Sequence, residues 1–184
     1  MIKTVSTFLA TLTFLSDIAI VVFFVLLLAQ LFFKVSYLKI LKKIFTPYSY
    51  HLVFLVALTS TLGSLFYSEI AKYSPCVLCW YQRIFMYPQV FLVYLANIRN
   101  ERVITPYLIL MNVIGALLAL YHYIIQLAPK ASLLPCEIGG AVSCTKKFTL
   151  YYGFITIPMM SLTAFVLNLI LLIYFSEKSK RKVK

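Results

Sequence analysis

Five long apolar runs, at about 8–33, 50–70, 80–98, 104–127 and 154–175, leave this chain few ways to fold. A helix rises 1.5 Å per residue and needs about 20 apolar residues to cross the hydrocarbon of a bilayer. Each run is long enough, the first with tilt to spare. Backbone polar groups in lipid must be satisfied internally, so spans of this kind are helices. Together the runs consume most of the 184 residues, of which 62% are hydrophobic and only 12% charged. No length remains for a separate soluble domain.

The net charge of +12 would suggest nucleic acid in a soluble protein. Its distribution argues for membrane topology instead. Lys34, Lys39, Lys42 and Lys43 share one loop, Arg99 and Arg102 another, and Lys178, Lys180, Arg181, Lys182 and Lys184 form the tail. These eleven alternate along the chain with regions holding only Lys3, Lys72, Arg83, Lys130, Lys146 and Lys147. By the positive-inside bias the tail is cytoplasmic, and five crossings then put the N-terminus outside. Membrane lipid is the expected surroundings, and nucleic acid is not an expected partner.

The first run has a rival reading as a secretory signal peptide. No small-residue cleavage site follows its apolar core, where Gln30-Leu31-Phe32-Phe33-Lys34 comes next. A retained helix is expected, with Asp17 near the outer interface or satisfied by a neighbouring helix. Residues 98–103 form a loop short enough to make the third and fourth runs an antiparallel hairpin. Pro106 falls early in the fourth run, where proline is tolerated. Pro88 and Pro158 are expected inside their spans, kinking them.

All four cysteines fall in the two outward-facing loops. Disulfides form and persist outside the cytoplasm, so charge and cysteine placement agree. Cys76 and Cys79 form a Cys-x-x-Cys pair where the third helix begins. Unpaired amides and the positive end of the helix dipole favour thiolates there. Arg83 follows Cys79 by four residues, on the same helical face, where its charge favours a thiolate or holds a polar ligand. Gln82 offers an amide on an adjacent face.

The second pair, Cys136 and Cys144, flanks Gly139 and Gly140, which permit a tight reversal between them. A static clamp on the loop is one reading. A zinc site of four cysteines is another, disfavoured by spacing and by the lack of any reason for such a metal to sit at a membrane, so no metal is expected. An electron relay is the third: thiol–disulfide exchange proceeds by direct sulfur attack, so a far loop pair can meet a soluble partner while the helix-start pair meets a lipid-soluble acceptor.

Pro-Cys-Val-Leu-Cys-Trp-Tyr-Gln-Arg at 75–83, Tyr121-His122-Tyr123 and Gly153-Phe-Ile-Thr-Ile-Pro158 closely resemble the disulfide bond formation protein B (DsbB) family, nearest its BdbC-like branch. The resemblance covers about residues 47–176. It implies a membrane enzyme that reoxidises an extracytoplasmic thioredoxin-like thiol oxidase (DsbA- or BdbD-like) and passes the electrons to a quinone, ubiquinone or menaquinone. By position, Cys76 and Cys79 resemble the quinone-coupled pair, Cys79 facing the quinone, and Arg83 resembles the quinone-site arginine. Cys136 resembles the cysteine that forms the mixed disulfide with the partner, and Cys144 its disulfide mate. His122, at the outer end of the fourth run, is a candidate proton donor to the quinone. Its alternative is an interfacial histidine held by hydrogen bonds. Trp80 and Tyr81 line the quinone pocket or anchor the interface.

The expected architecture is thus an all-α integral membrane protein with a four-helix transmembrane bundle core and one extra N-terminal transmembrane helix. Residues 1–45 hold the extra helix and a basic cytoplasmic loop, and 46–184 the redox domain and basic tail. The expected location is the bacterial cytoplasmic membrane, redox loops outside. Two rivals stand beside the expected activity. One is a vitamin K epoxide reductase-like thiol–quinone enzyme, disfavoured because the Cys-x-x-Cys precedes the loop cysteines here. The other is a non-catalytic scaffold with two structural disulfides.

Overall fold

The computed structural model describes residues 2–33, 37–128, 143–145 and 148–176. The chain is an all-α membrane protein: among the described residues there is no sheet, only one isolated bridge between Tyr151 and Ile155. In order come α1 (Ile2–Phe33), α2 (Tyr37–Phe45), a short 3-10 turn (Thr46–Tyr48), α3 (Ser49–Leu65), α4 (Val77–Arg99), α5 (Thr105–Leu127) and α6 (Ile157–Ile170). Single π-helical turns, Phe66–Ile70 and Leu171–Phe175, prolong α3 and α6.

Among the described residues, four stretches are long and apolar enough to cross a membrane: Ile2–Phe32, Leu38–Ile70, Thr105–Leu127 and Ile157–Phe175. Helix α4 matches α5 in length, 23 residues each, but Gln82, Arg83 and Gln89 make it less apolar. It packs between α3 and α5, so it runs across with them. Asn100 closes α4 in the left-handed conformation (φ 52°), a common helix stop, and the hairpin to α5 follows. Helix α2 is amphipathic: Leu38 is buried while Lys39 and Lys43 are exposed, the pattern of a helix lying along an interface. Lys42 also sits over the ring of Tyr174, 5.2 Å from its centre.

Helices in lipid gain little from excluding water, so close contact and buried polar pairs hold the bundle together. Gly115 of α5 faces Phe165 of α6, and a Cβ at Gly115 would lie 2.3 Å from that ring. Between α4 and α5 the fully buried Asn112 donates to Gln89 Oε1 (2.7 Å) and to the Leu108 carbonyl (2.8 Å). Gln89 in turn donates to the Phe85 carbonyl at 2.7 Å.

Helix α1 packs chiefly on α6 and α2. A tight turn before α6, with Tyr152 at φ 51° and Gly153 at φ 80°, presents the Tyr152 ring to α1. That ring stacks on Phe14 at 5.1 Å, and its hydroxyl shares a 3.0 Å hydrogen bond with Thr11. Lower down, Thr163 of α6 donates to Asp17 Oδ1 at 2.6 Å, so the carboxylate is met by a neighbouring helix as expected.

One proline differs from its expected position. Pro88 lies inside α4, but Pro158 occupies the first turn of α6, after the extended Thr156 cap. The first turn has no amide bond for proline to break, so Pro158 starts the helix and does not kink it.

Candidate redox site and membrane cavity

The extended cap residue Cys76 (ψ 171°) turns the chain into α4, and its carbonyl accepts the first helical bond from Trp80 N–H at 3.2 Å. Cys79 comes one turn later, which brings the two sulfurs to 3.0 Å. Leu78, Ile125 and Cys144 pack around them in one buried cluster. Cys144, 1% exposed, is thus brought from the segment between α5 and α6 to the Cys-x-x-Cys pair. Cys136, with the expected Cys136 and Cys144 disulfide, lies outside the described residues.

His122 of α5 is the central connector, only 2% exposed. Its Nδ1 lies 3.0 Å from Gln82 Nε2, while its Nε2 lies 3.1 Å from the Cys144 carbonyl and 3.6 Å from Cys76 Sγ. An amide nitrogen only donates and a carbonyl only accepts. This network therefore has Nδ1 accepting and Nε2 carrying the proton. The imidazole links the sulfurs to Gln82.

The expectation that the helix start favours thiolate fails for Cys76. The Cys79 thiol beside it, then burial, push the Cys76 thiol up to about 12, with His122 opposing. The neighbouring thiol is the larger effect, and removal from water, which penalises the charged form, adds to it.

A cavity of about 390 Å³ opens below this cluster, walled by residues of α1, α3, α4, α5 and α6. From α4 it receives Cys79, Gln82, Arg83 and Met86, the i, i+3, i+4, i+7 face. Cys76 does not line it. A second space of about 30 Å³ lies on the loop side and is lined by Cys76, Cys79, His122 and Cys144. Cys79 and His122 border both spaces; Cys76 borders only the loop side.

Arg83 is held in place rather than free to swing. Its Nε donates to Ser64 Oγ at 3.0 Å and its Nη2 to the Ser64 carbonyl at 3.3 Å. The Tyr87 hydroxyl donates to the same Ser64 Oγ at 3.1 Å. Tyr67, Tyr73 and Phe148 stack in sequence, with ring centres 5.9 Å and 5.0 Å apart. All three line the cavity.

Trp80 departs from its expected place in the pocket. It does not line the cavity; it is 55% exposed, and its ring lies 5.1 Å beneath the Arg83 guanidinium. One residue past Cys79 turns a side chain about 100° round the helix, off the cavity face. Tyr81 is likewise exposed. Conversely, Ser64, Tyr87 and the α1 lining were not among the residues singled out from the sequence. Thr59, Ser60, Gly63 and Ser64 carry a usable signal, a run of small residues within an apolar span, where helices leave room or approach closely.

The arrangement can exchange disulfides on the loop side and hold a flat, partly polar molecule on the membrane side. Cys76, Cys79 and His122 also place two sulfurs and a nitrogen within 4.8 Å of one another, a partial donor set for a soft cation.

The model of the disulfide bond formation protein DsbB family matches residues 47–175. Disulfide bond formation protein C of Bacillus subtilis (strain 168) is 42% identical over 127 residues, covering 68% of this chain and 91% of that protein. The SPbeta prophage-derived disulfide bond formation protein B of the same organism is 45% identical over 116 residues, covering 63% of this chain and 77% of that protein. No solved structure matches the chain.

Proposed function

This chain belongs to the disulfide bond formation protein DsbB family, and from that premise we propose that it passes electrons from an extracytoplasmic thioredoxin-like thiol oxidase to a lipid-soluble quinone. The disulfide-forming membrane role comes with the family. The acceptor, the partner and the sidedness are our reading.

The observation that carries it is the double exposure of Cys79. One sulfur bordering both the loop-side space and the membrane cavity connects two exchange partners that never meet. The cavity also suits a quinone. Its volume falls in the range of small-molecule pockets, it is largely apolar, and Arg83, Gln82 and His122 lie near the Cys79 end.

In the proposed sequence the partner's dithiol attacks the disulfide of Cys136 and Cys144 through Cys136. The partner leaves oxidised, and Cys136 and Cys144 become thiols. A second exchange re-forms that disulfide and reduces the one between Cys76 and Cys79. A quinone, when bound, takes two electrons and two protons from the Cys76 and Cys79 thiols, restoring their disulfide. Arg83, fixed by Ser64, orients the polar head with a charge already in place. His122 holds its Nε2–H beside Cys76 Sγ and the Cys144 carbonyl, and Gln82 fixes that tautomer by donating to Nδ1.

The same geometry supports the sidedness we propose. Arg99 closes α4 some twenty residues after Cys79, so the redox cluster and the basic end are roughly 30 Å apart. Arg102 lies 4.0 Å over the Tyr50 ring at that basic end, near α2 with its lysines. We place this end in the cytoplasm and the cysteines outside the cytoplasmic membrane. Residues 46–184 then form the redox unit, with 1–45 added to it.

The test is quinone reduction by the purified protein, followed by absorbance while a reduced thioredoxin-like oxidase is supplied. Cys76→Ser and Cys79→Ser should each abolish it, and turnover surviving either change refutes the scheme. Loss of turnover in Cys136→Ser assigns the entry point; persistence moves partner attack to Cys76 and Cys79. A scaffold with structural disulfides would show no redox turnover in thiol trapping.

A further inference from the structure

Helix α1 precedes the region matched by the family, yet it supplies a wall of the cavity. Leu9, Leu12, Thr13 and Ser16 line it, at the spacing of a single helical face. Tyr152 and Thr163 hold that face inward through the contacts with Thr11, Phe14 and Asp17. The hydroxyls of Thr13 and Ser16 donate back to the carbonyls of Leu9 and Leu12, both at 2.9 Å. Their donors are satisfied within α1, so this wall offers a ligand little beyond apolar contact.

The cavity is also longer than one ring requires. Its lining runs from Ser64 to Leu55 on α3 and from Ile157 to Leu167 on α6, or about 14 Å along each helix. At the far end it reaches the lipid-facing surface. Leu12 and Leu55 both line the cavity, yet they are 40% and 54% exposed. Toward the Cys79 end the same seam is tight, since a Cβ on Gly63 would lie 3.2 Å from Leu9 Cδ1.

We infer that the seam between α1 and α3 is the portal through which the polyprenyl tail of the quinone leaves the cavity. Leu12 and Leu55 form its edges, and the contact of Leu9 with Gly63 closes it beside the head group. The extra helix thereby makes the acceptor site selective for the tail. This rests on the quinone reading above, and the two fail differently.

The experiment uses the full chain in lipid nanodiscs, with two quinones that share a ring and differ in having or lacking a polyprenyl tail. Leu12→Trp and Leu55→Trp narrow the seam, while Leu15→Trp places the same bulk on a face of α1 that is 58% exposed and away from the cavity. The narrowing variants should raise KM for the tailed quinone about tenfold relative to the tail-less one, the size of a lost apolar contact of ~1.4 kcal/mol. Leu15→Trp should leave that ratio unchanged. A photoreactive group at the end of the tail gives a readout without turnover: it should label α1 and α3 in the unaltered protein and far less in the narrowed ones. Equal effects on both quinones, no effect on either, or label on α5 would overturn the portal. If the unaltered protein neither reduces nor is labelled by any quinone, the acceptor reading itself falls.

Discussion

The sulfurs of Cys76 and Cys79 lie 3.0 Å apart, yet only Cys79 faces the membrane cavity. A cap residue and a first-turn residue of one helix thus look onto different spaces. Cys76 shares the loop-side space with Cys144, and Cys79 shares both. The consequences can be measured.

The Cys76 thiol, pushed up to about 12 by Cys79 and burial, should react with iodoacetamide at a rate that keeps rising from pH 8 to above pH 10. An ordinary thiol, with a value of about 8.5, levels off across that range because the thiolate is the nucleophile. Peptide mass spectrometry of the reduced protein resolves the two cysteines. The sign for stability follows: a raised value favours the neutral thiol in the folded state. That contribution is present below the ordinary thiol value and disappears as pH rises toward 12.

Removing the imidazole should be costly in kcat. With His122→Ala we expect a fall of about 10²-fold, the lower end of what positioned proton transfer contributes. Gln82→Leu should act through the ring, removing the partner of Nδ1, and should shift the pH profile of turnover with a smaller loss. Steady-state rates between pH 6 and 9 check both, and an unchanged profile in Gln82→Leu contradicts the positioning role.

Arg83→Lys keeps the charge and loses the fork. Lysine cannot engage both Ser64 Oγ and the Ser64 carbonyl as the guanidinium does. KM for quinone should rise about tenfold, with thiol exchange against the partner unaffected. Ser64→Ala should produce part of the same change. A double-mutant cycle should be non-additive, because both changes remove one interaction.

Gly115→Ala places a Cβ where the buried Phe165 ring now stands. Overpacking of this kind destabilises by about 1–3 kcal/mol. Thermal unfolding in detergent should show the loss, and Phe165→Leu should recover part of it in the double variant.

Much of the scaffold could be read from the chain alone. Apolar run length located the helices because lipid leaves the backbone no alternative. The Cys-x-x-Cys at a helix start located the redox pair, and the four-residue spacing put Arg83 beside Cys79. What was missed depends on neighbours distant in sequence. Cys76 has a raised value because the Cys79 thiol lies beside it and because Ile125 and Cys144 pack over it and bury it. Trp80 was misplaced because composition does not indicate which side of α4 faces inward. Helix α1 is apolar all round, so nothing in its pattern marked Leu9, Leu12, Thr13 and Ser16 as a lining face.

The bond from His122 Nε2–H to the Cys144 carbonyl has one further consequence. In the proposed relay the segment carrying Cys144 visits another protein, and it cannot leave this cluster without releasing the imidazole. Once it does, the nearest remaining acceptor for that proton is Cys76 Sγ, 3.6 Å away. Departure of the loop is therefore reported directly to the buried sulfur, an interlock in which the arm cannot be extended without resetting the thiol it left behind.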